Sequence, residues 1–260
     1  MNDKKKSLEE FERLLNILDE LRVKCPWDMK QTNDSLRKLT IEETYELADS
    51  IFSDNDEGIK NELGDLMLHL VFYARIGSEK GTFTMADVLK GINSKLIYRH
   101  PHVFGDVKVK GASEVEENWE QLKIRENDGY KPVLSGVPSS LPAIIKANRI
   151  QEKVRGVGFD WEKPEQIWDK VLEEIKELKE EINKRNTDTI ESELGDVLFS
   201  IINASRLYGI DPEAALEKTN RKFIRRFNYL EKETLSKGVS LHDMSLDEMN
   251  VIWDEAKKED

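Results

Sequence analysis

The chain has a single cysteine, Cys25, in 260 residues, which excludes an intrachain disulfide framework and any zinc or iron–sulfur centre built from several cysteines. Such sparing use of cysteine agrees with a reducing, cytoplasmic location. No stretch approaches the roughly 20 apolar residues that span a bilayer, and the opening MNDKKKSLEEFERLL carries lysines without the apolar segment of a signal peptide. Neither export nor a membrane is expected. A G-x-x-x-x-G-K-[ST] phosphate loop is missing, and Gly156-Val157-Gly158 lacks the third glycine of a dinucleotide fingerprint. Any phosphate must therefore be handled by side chains and a metal. There is no Glu-x-x-His pair of the kind that builds a di-iron carboxylate bundle. His69, four residues after Asp65, is the nearest approach, while His100, His102 and His242 read as structural or exposed. Lys and Arg number 40 against 52 Asp and Glu, a net charge of −12, which disfavours a nucleic acid polymer or an anionic membrane as partner.

What is present is charge and helical periodicity. Charged residues make up 35% and hydrophobic residues 38%, with five Trp, nine Phe and six Tyr, so the chain is too rich in core-forming residues to be disordered and fits a polar, helix-rich fold. Helical patterns run over about 8–22, 36–52, 58–77, 84–98 and 114–127, then 142–155, 164–184, 188–208, 211–234 and 245–258, with no convincing strand between them. Pro132, Pro138 and Pro142 cluster in KPVLSGVPSSLP, where proline removes backbone donors and restricts its neighbours. The sequence thus predicts an all-α protein with one domain over 1–130, a Pro-rich linker over 131–143 and a second domain over 144–260. In the second domain Ile167, Trp168, Val171, Leu172, Ile175, Leu178 and Ile182 form one apolar stripe, and Ile190, Leu194, Val197, Leu198, Ile201 and Ile202 form another. The short polar Asn186-Thr187-Asp188 between them predicts a helical hairpin within a bundle.

An internal repeat organises the rest. Glu42-Glu43-Thr-Tyr-Glu46 recurs as Glu173-Glu174-Ile-Lys-Glu177, and each is followed, 16 residues after its last glutamate, by Glu-Leu-Gly-Asp: 62–65 in one half and 193–196 in the other. The copies lie 131 residues apart, and the two halves read as a duplicated helical domain. On a helix, residues three and four apart share a face, so Glu173, Glu174 and Glu177 form one acidic arc and Glu193 with Asp196 another. Helical wheels place these arcs on the order of 100° from the centres of the apolar stripes, flanking the core without pointing into it. Four or five carboxylates facing one another repel unless a cation neutralises them, and Mg²⁺, a hard ion that takes oxygen ligands and binds phosphates, suits that role. A solvated acidic helix face is the plain alternative for any single EExxE, and Glu180 and Glu181 read that way. Acidic residues are one in five, so five specified acidic positions match by chance at about 0.0003 per starting point, and a second copy with the same spacing points to duplication of a metal-binding unit.

The next helical pattern supplies the opposite charge. Lys222 and Arg226 are four apart and share a face with Arg225 nearby, a set suited to phosphate; the alternative is a surface charge stripe beside the Phe223/Phe227 core stripe. Asn203 and Asn220 fit either hydrogen bonding to a ligand or a structural role. Trp253 fits either stacking on a base or packing in the core.

These motifs together resemble the two-domain MazG nucleoside triphosphate pyrophosphohydrolases of the all-α NTP pyrophosphatase superfamily. The resemblance rests on CPWDMKQTNDSL at 25–36, EETYE with ELGD in the first half, YRHPHVFGD at 98–106, NWEQLK at 118–123, VGFDW at 157–161, EEIKE with ELGD in the second half, KFIRRF at 222–227 and Trp253. It implies two tandem MazG-like helical bundles, a homodimer, and Mg²⁺-dependent hydrolysis of a broad set of ribo- and deoxynucleoside triphosphates, ATP included, to a monophosphate and pyrophosphate in nucleotide-pool housekeeping. It places the metal ligands on Glu174, Glu177, Glu193 and Asp196, and the nucleotide contacts on Lys170, Glu173, Lys222, Arg225, Arg226 and Trp253. Glu173, Lys222 and Arg226 are the expected catalytic groups, the first as proton acceptor and the others as neutralisers of phosphate charge. The C-terminal copy is implied as the main catalytic domain. Glu43, Glu46, Glu62 and Asp65, with Lys95 and Arg99 beyond them, mark a second metal site in the N-terminal copy. Thr189 departs from the basic residue that some relatives carry there. Two alternatives stand beside this reading: a narrow pyrophosphohydrolase of the dUTP or phosphoribosyl-ATP type, and a non-catalytic nucleotide-sensing helical module.

Overall fold

The computed structural model describes residues 2–111, 114–115, 118–119, 122, 132–236 and 238–259. Among these residues there is no strand, and the helices are α1 (Asn2–Lys24), α2 (Asn33–Phe52), α3 (Asp56–Glu79), α4 (Met85–Arg99), α5 (Pro101–Phe104), α6 (Ala143–Arg155), α7 (Gln166–Lys184), α8 (Thr187–Leu207), α9 (Pro212–Ser236) and α10 (Leu246–Ala256). The pattern at 114–127, and with it NWEQLK, falls largely outside the described residues; 114–115, 118–119 and 122 are helical. No helix among the described residues is long and apolar enough to cross a membrane. The chain forms two compact units, Met1–Lys108 and Val109–Asp260.

Local chemistry starts these helices where it should. Thr32 and Ser35 form a reciprocal capping box at α2, Thr84 and Asp87 do so at α4, and Ser245 and Glu248 at α10, each satisfying N–H groups that the first turn leaves unpaired. Asp211 accepts from the backbone N–H groups of Glu213 and Ala214 at α9. Pro101 ends α4 at Arg99, because proline disfavours a helical residue before it.

In the first unit α2 and α3 form the central hairpin, and α1 packs on α3. Leu18, Leu36, Val71, Phe72 and Ile76 make the buried core, lined further by Phe11, Leu14, Leu68 and Met85. A polar clamp fixes α1. Arg22 donates from Nε and Nη2 to the two carboxylate oxygens of Glu79, each at 2.9 Å, and from Nη1 to the carbonyls of Asp28 and Gln31. Arg75 ties Glu79 to Asp19.

In the second unit α7 and α8 form the equivalent hairpin, with α6 against α8 and α10 against α9. Its buried apolar residues include Ile167, Val171, Val197, Ile202, Ala204, Leu230 and Ile252. The Pro-rich stretch read as a linker is fastened to α6: Lys153 Nζ donates to the carbonyl of Val133 and Lys146 Nζ to that of Ser139. Both hairpins turn through a non-glycine residue in the left-handed region, Asp54 (φ 48°) and Arg185 (φ 58°). These two residues are 131 apart, so the duplication extends to the turn.

The clamp at Glu79 makes stability depend on pH. Its hydrogen bond from Arg22 holds the carboxyl below the ordinary value of 4.5, so the stabilisation is complete above that value and is lost as the pH falls through the lowered one. Glu79→Gln is expected to cost about 1–2 kcal/mol at pH 7. Wild-type and variant unfolding midpoints, followed by circular dichroism, should converge as the pH drops below the carboxylate range; parallel curves would show that the clamp does not set this dependence.

Candidate active site

The acidic residues of the second unit sit on its central hairpin. Ile167, Val171 and Glu174 are buried on α7, and Val197, Ser200 and Ala204 on α8. Their spacing of three and four residues marks the seam along which two helices interlock. Glu174 falls in that seam, only 8% exposed, with Glu193 half-buried opposite it. This corrects the expectation of a merely flanking arc for Glu174 and Glu193, whereas Glu173, Glu177 and Asp196 are exposed as expected. The apolar stripes divide: Ile167, Val171, Val197 and Ile202 are buried, whereas Leu172, Ile182, Leu194, Leu198 and Ile201 are exposed. The wheel gave the direction of each arc without showing which half a neighbouring helix covers.

One oxygen from each of Glu174, Glu177 and Glu193 lies within 4.8 Å of the others. Asp196 stands outside that group of three, exposed on α8, yet its charge acts on Glu193. Burial, together with the charges of Glu177, Asp196, Glu174 and Glu181, pushes the Glu193 carboxyl above its ordinary value. Three converging oxygens of this kind fit a hard divalent cation. Glu181, expected on a solvated face, is half-buried, pairs with Lys184 and lies near enough to bear on Glu193.

Lys170 is the cation that the carboxylates already hold. Its Nζ is 2.8 Å from Glu174 and 2.9 Å from Glu173, and these partners raise its pKa well above the usual lysine value. Of the remaining expected residues, Lys222 and Arg225 are exposed on α9 and Arg226 is half-buried. Trp253 on α10 packs its ring 5.0 Å from Phe223, with the Arg226 guanidinium 5.9 Å over its face. The tryptophan is thus positioned by α9 through an aromatic contact and a cation–π contact.

Sequence reasoning missed the brace behind α8. Arg206 grips both oxygens of Asp160 in VGFDW and donates to Asn203 Oδ1. Asn203 is therefore committed to a structural bond, and Asn220 bonds Glu217. No periodicity marks a pair 46 residues apart; the only available signal was an acidic residue inside an otherwise aromatic motif.

The first unit repeats the cluster with different surroundings. Glu43, Glu62 and Asp65 each offer an oxygen within 4.8 Å of the others, with Glu46 outside the group. Burial and the charges of Asp65 and Glu46, with Glu62 beside them, raise the Glu43 carboxyl. The residue 131 before Lys170 is Leu39, so the ammonium of the other copy has no counterpart at that position. His69 takes the place of Ser200 in the seam; its Nδ1 is buried without a hydrogen-bond partner, and burial lowers its pKa.

Comparison with known proteins agrees with this duplicated architecture. The MazG nucleotide pyrophosphohydrolase domain matches residues 31–104 and 162–230, more than half of the chain and both central hairpins. The chain is 44% identical over 250 residues to the nucleoside triphosphate pyrophosphohydrolase/pyrophosphatase MazG of Thermotoga maritima, covering 95% of each. It is 38% identical over 260 residues to the nucleoside triphosphate pyrophosphohydrolase of Escherichia coli K12, covering 97% of this chain and 99% of that one. A further relative, the uncharacterized protein YabN of Bacillus subtilis, is 44% identical over 99% of this chain, which spans 54% of its length. With the domain matched in both halves and two relatives matched almost end to end, the chain belongs to the MazG nucleotide pyrophosphohydrolase family.

Proposed function

We propose that the α7–α8 cluster is the centre of a Mg²⁺-dependent nucleoside triphosphate pyrophosphohydrolase acting broadly on ribo- and deoxynucleotides, in the cytoplasm and as a homodimer. Hydrolysis of nucleoside triphosphates to monophosphate and pyrophosphate follows from the family and from the names of its near full-length relatives. The observation that carries the metal reading is the convergence of Glu174, Glu177 and Glu193, with Asp196 completing the donor set. Bound there, Mg²⁺ would neutralise the triphosphate and acidify a water molecule.

The chain's own groups divide the remaining work. Lys222, Arg225 and Arg226 bind phosphate oxygens, and Lys222 with Arg226 offsets the charge that builds on the leaving group. Trp253 offers an aromatic face to the base, a contact open to every base and so consistent with breadth. Water oxygen bonds to the α-phosphorus as the bond from that phosphorus to the α–β bridging oxygen breaks. Glu173, half exposed at the end of the Lys170 bridge, accepts the proton that the water gives up. The N-terminal cluster of Glu43, Glu46, Glu62 and Asp65 is read as a second metal site, with the C-terminal copy as the main catalytic one.

The dimer reading rests on the outward face of the hairpin, where Leu172 is 63% and Leu198 54% exposed beside Leu194 and Ile201. Exposed apolar side chains of this kind favour cover by a second copy over exposure to water. Light scattering after gel filtration should give twice the chain mass, and Leu172→Glu with Leu198→Glu should halve it; a wild-type monomer would remove this part of the reading.

The activity is tested by ion-exchange separation of products from a mixture of ribo- and deoxynucleoside triphosphates incubated with the enzyme and Mg²⁺. Monophosphates with equimolar pyrophosphate from most bases are expected, whereas cleavage of one base alone would indicate a narrow enzyme and no cleavage a sensing module. Glu174→Gln should lower turnover by at least about 100-fold with unchanged helical circular dichroism, and Asp196→Ala should act likewise. Retained turnover in both would overturn the metal centre.

A further inference from the structure

We propose that Lys170 is a displaceable counter-cation of the metal centre: its ammonium holds Glu174 while no metal is bound, and is released toward the substrate's phosphates when the metal arrives. This rests on the metal reading above and assigns that centre an order of events. Glu174 is the most buried of the three converging carboxylates, so its oxygen lone pairs are the ones least served by water. Lys170 Nζ takes one of them at 2.8 Å and a Glu173 oxygen at 2.9 Å. A divalent ion drawing on Glu174 shares that carboxylate with the ammonium, and the two cations repel at short range. That repulsion favours release of the ammonium, and the freed Nζ remains tethered one helical turn from the centre, on the Glu173 side.

The N-terminal copy shows that the lysine is not needed to build the cluster. There Glu43, Glu62 and Asp65 converge in the same way with Leu39 at the equivalent position. The hairpin folds without an ammonium at that position, so Lys170 contributes something other than scaffold stability. Held between two glutamates, it offsets the charge of the carboxylates and lowers their affinity for metal. Once displaced, it favours an incoming polyphosphate. By linkage, nucleotide then tightens metal binding by the same factor that metal tightens nucleotide.

Free Mn²⁺ is measured by electron paramagnetic resonance with the full chain carrying Glu43→Gln and Glu62→Gln, so that binding reports the C-terminal cluster. Without nucleotide, Lys170→Leu should bind Mn²⁺ about tenfold more tightly, Lys170→Gln should do the same, and Lys170→Arg should match the unaltered cluster. A non-hydrolysable nucleoside triphosphate analogue should tighten Mn²⁺ binding in the Lys170 protein and do so much less in Lys170→Leu. If both neutral variants bind Mn²⁺ no more tightly than the lysine protein while Glu174→Gln abolishes binding, the displacement idea is overturned and the metal centre stands. If Glu174→Gln leaves Mn²⁺ binding intact, the metal centre itself is overturned and the displacement falls with it.

Discussion

The fold depends on tolerating carboxylates inside a helix–helix seam. Two helices interlock through residues three and four apart, and in both hairpins this register brings a glutamate of the first helix and one of the second onto the shared face. Glu174 with Glu193, and Glu43 with Glu62, occupy positions that a stable bundle would fill with leucine. The penalty is visible in the raised carboxyls of Glu193 and Glu43. It is borne because apolar layers lie toward the other end of each seam: Ile167, Val171 and Val197 in one hairpin, Leu36, Val71 and Phe72 in the other. Strain of this kind in an otherwise well-packed bundle is characteristic of a site built for a ligand.

Duplication supplied two such seams, and the substitutions around them separate the copies. In the C-terminal hairpin a lysine holds the buried glutamate, and the seam next to the cluster is small and satisfied, with Ser200 bonded to the carbonyl of Val197 at 2.9 Å. The N-terminal hairpin replaces these with Leu39, an unpartnered His69 and a Thr40–Tyr73 hydrogen bond of 2.8 Å. The helices that follow diverge more. α4 stops at Arg99 because Pro101 cannot extend it, whereas α9 runs 25 residues and carries Phe223 and Arg226 to meet Trp253 on α10. Lys95 and Arg99 keep the spacing of Lys222 and Arg226 on the shorter α4. Among the described residues the copies therefore differ less in the carboxylates than in what surrounds them.

Helix positions, the all-α class and the duplication were legible because periodicity and motif spacing are local properties. EExxE followed by ELGD at the same interval also located both acidic clusters. The burial of Glu174 was not legible, since a wheel reports the angle between arcs and leaves open which arc a neighbour covers. Leu172, Leu194 and Leu198 were read as core for the same reason. Their apolarity is real, but all three side chains are exposed. Glu181 was misread because composition treats every glutamate alike, whereas its place one turn from the hairpin end brings it beside Lys184 and Glu193. The Arg206–Asp160 brace joins a loop to a distant helix, and such pairs leave no period in the sequence.

The charge balance joins the global and local arguments. A net charge of −12 would repel an extended polyanion along its whole length, yet screening confines such effects to about 8 Å at physiological salt. A ligand small enough to lie within that distance of one cluster responds to local charge alone. On the second unit that local charge is divided, with carboxylates on α7 and α8 able to take a divalent cation and Lys222, Arg225 and Arg226 gathered on α9. In the proposed reading a nucleoside triphosphate uses both parts, its phosphates sharing a cation with the carboxylates and bonding to the basic helix. A polymer would meet the same basic residues and then run onto a surface rich in Asp and Glu. The acidity of the whole chain and the basicity of one helix thus act together in the proposed reading, which takes a compact polyphosphate as the ligand.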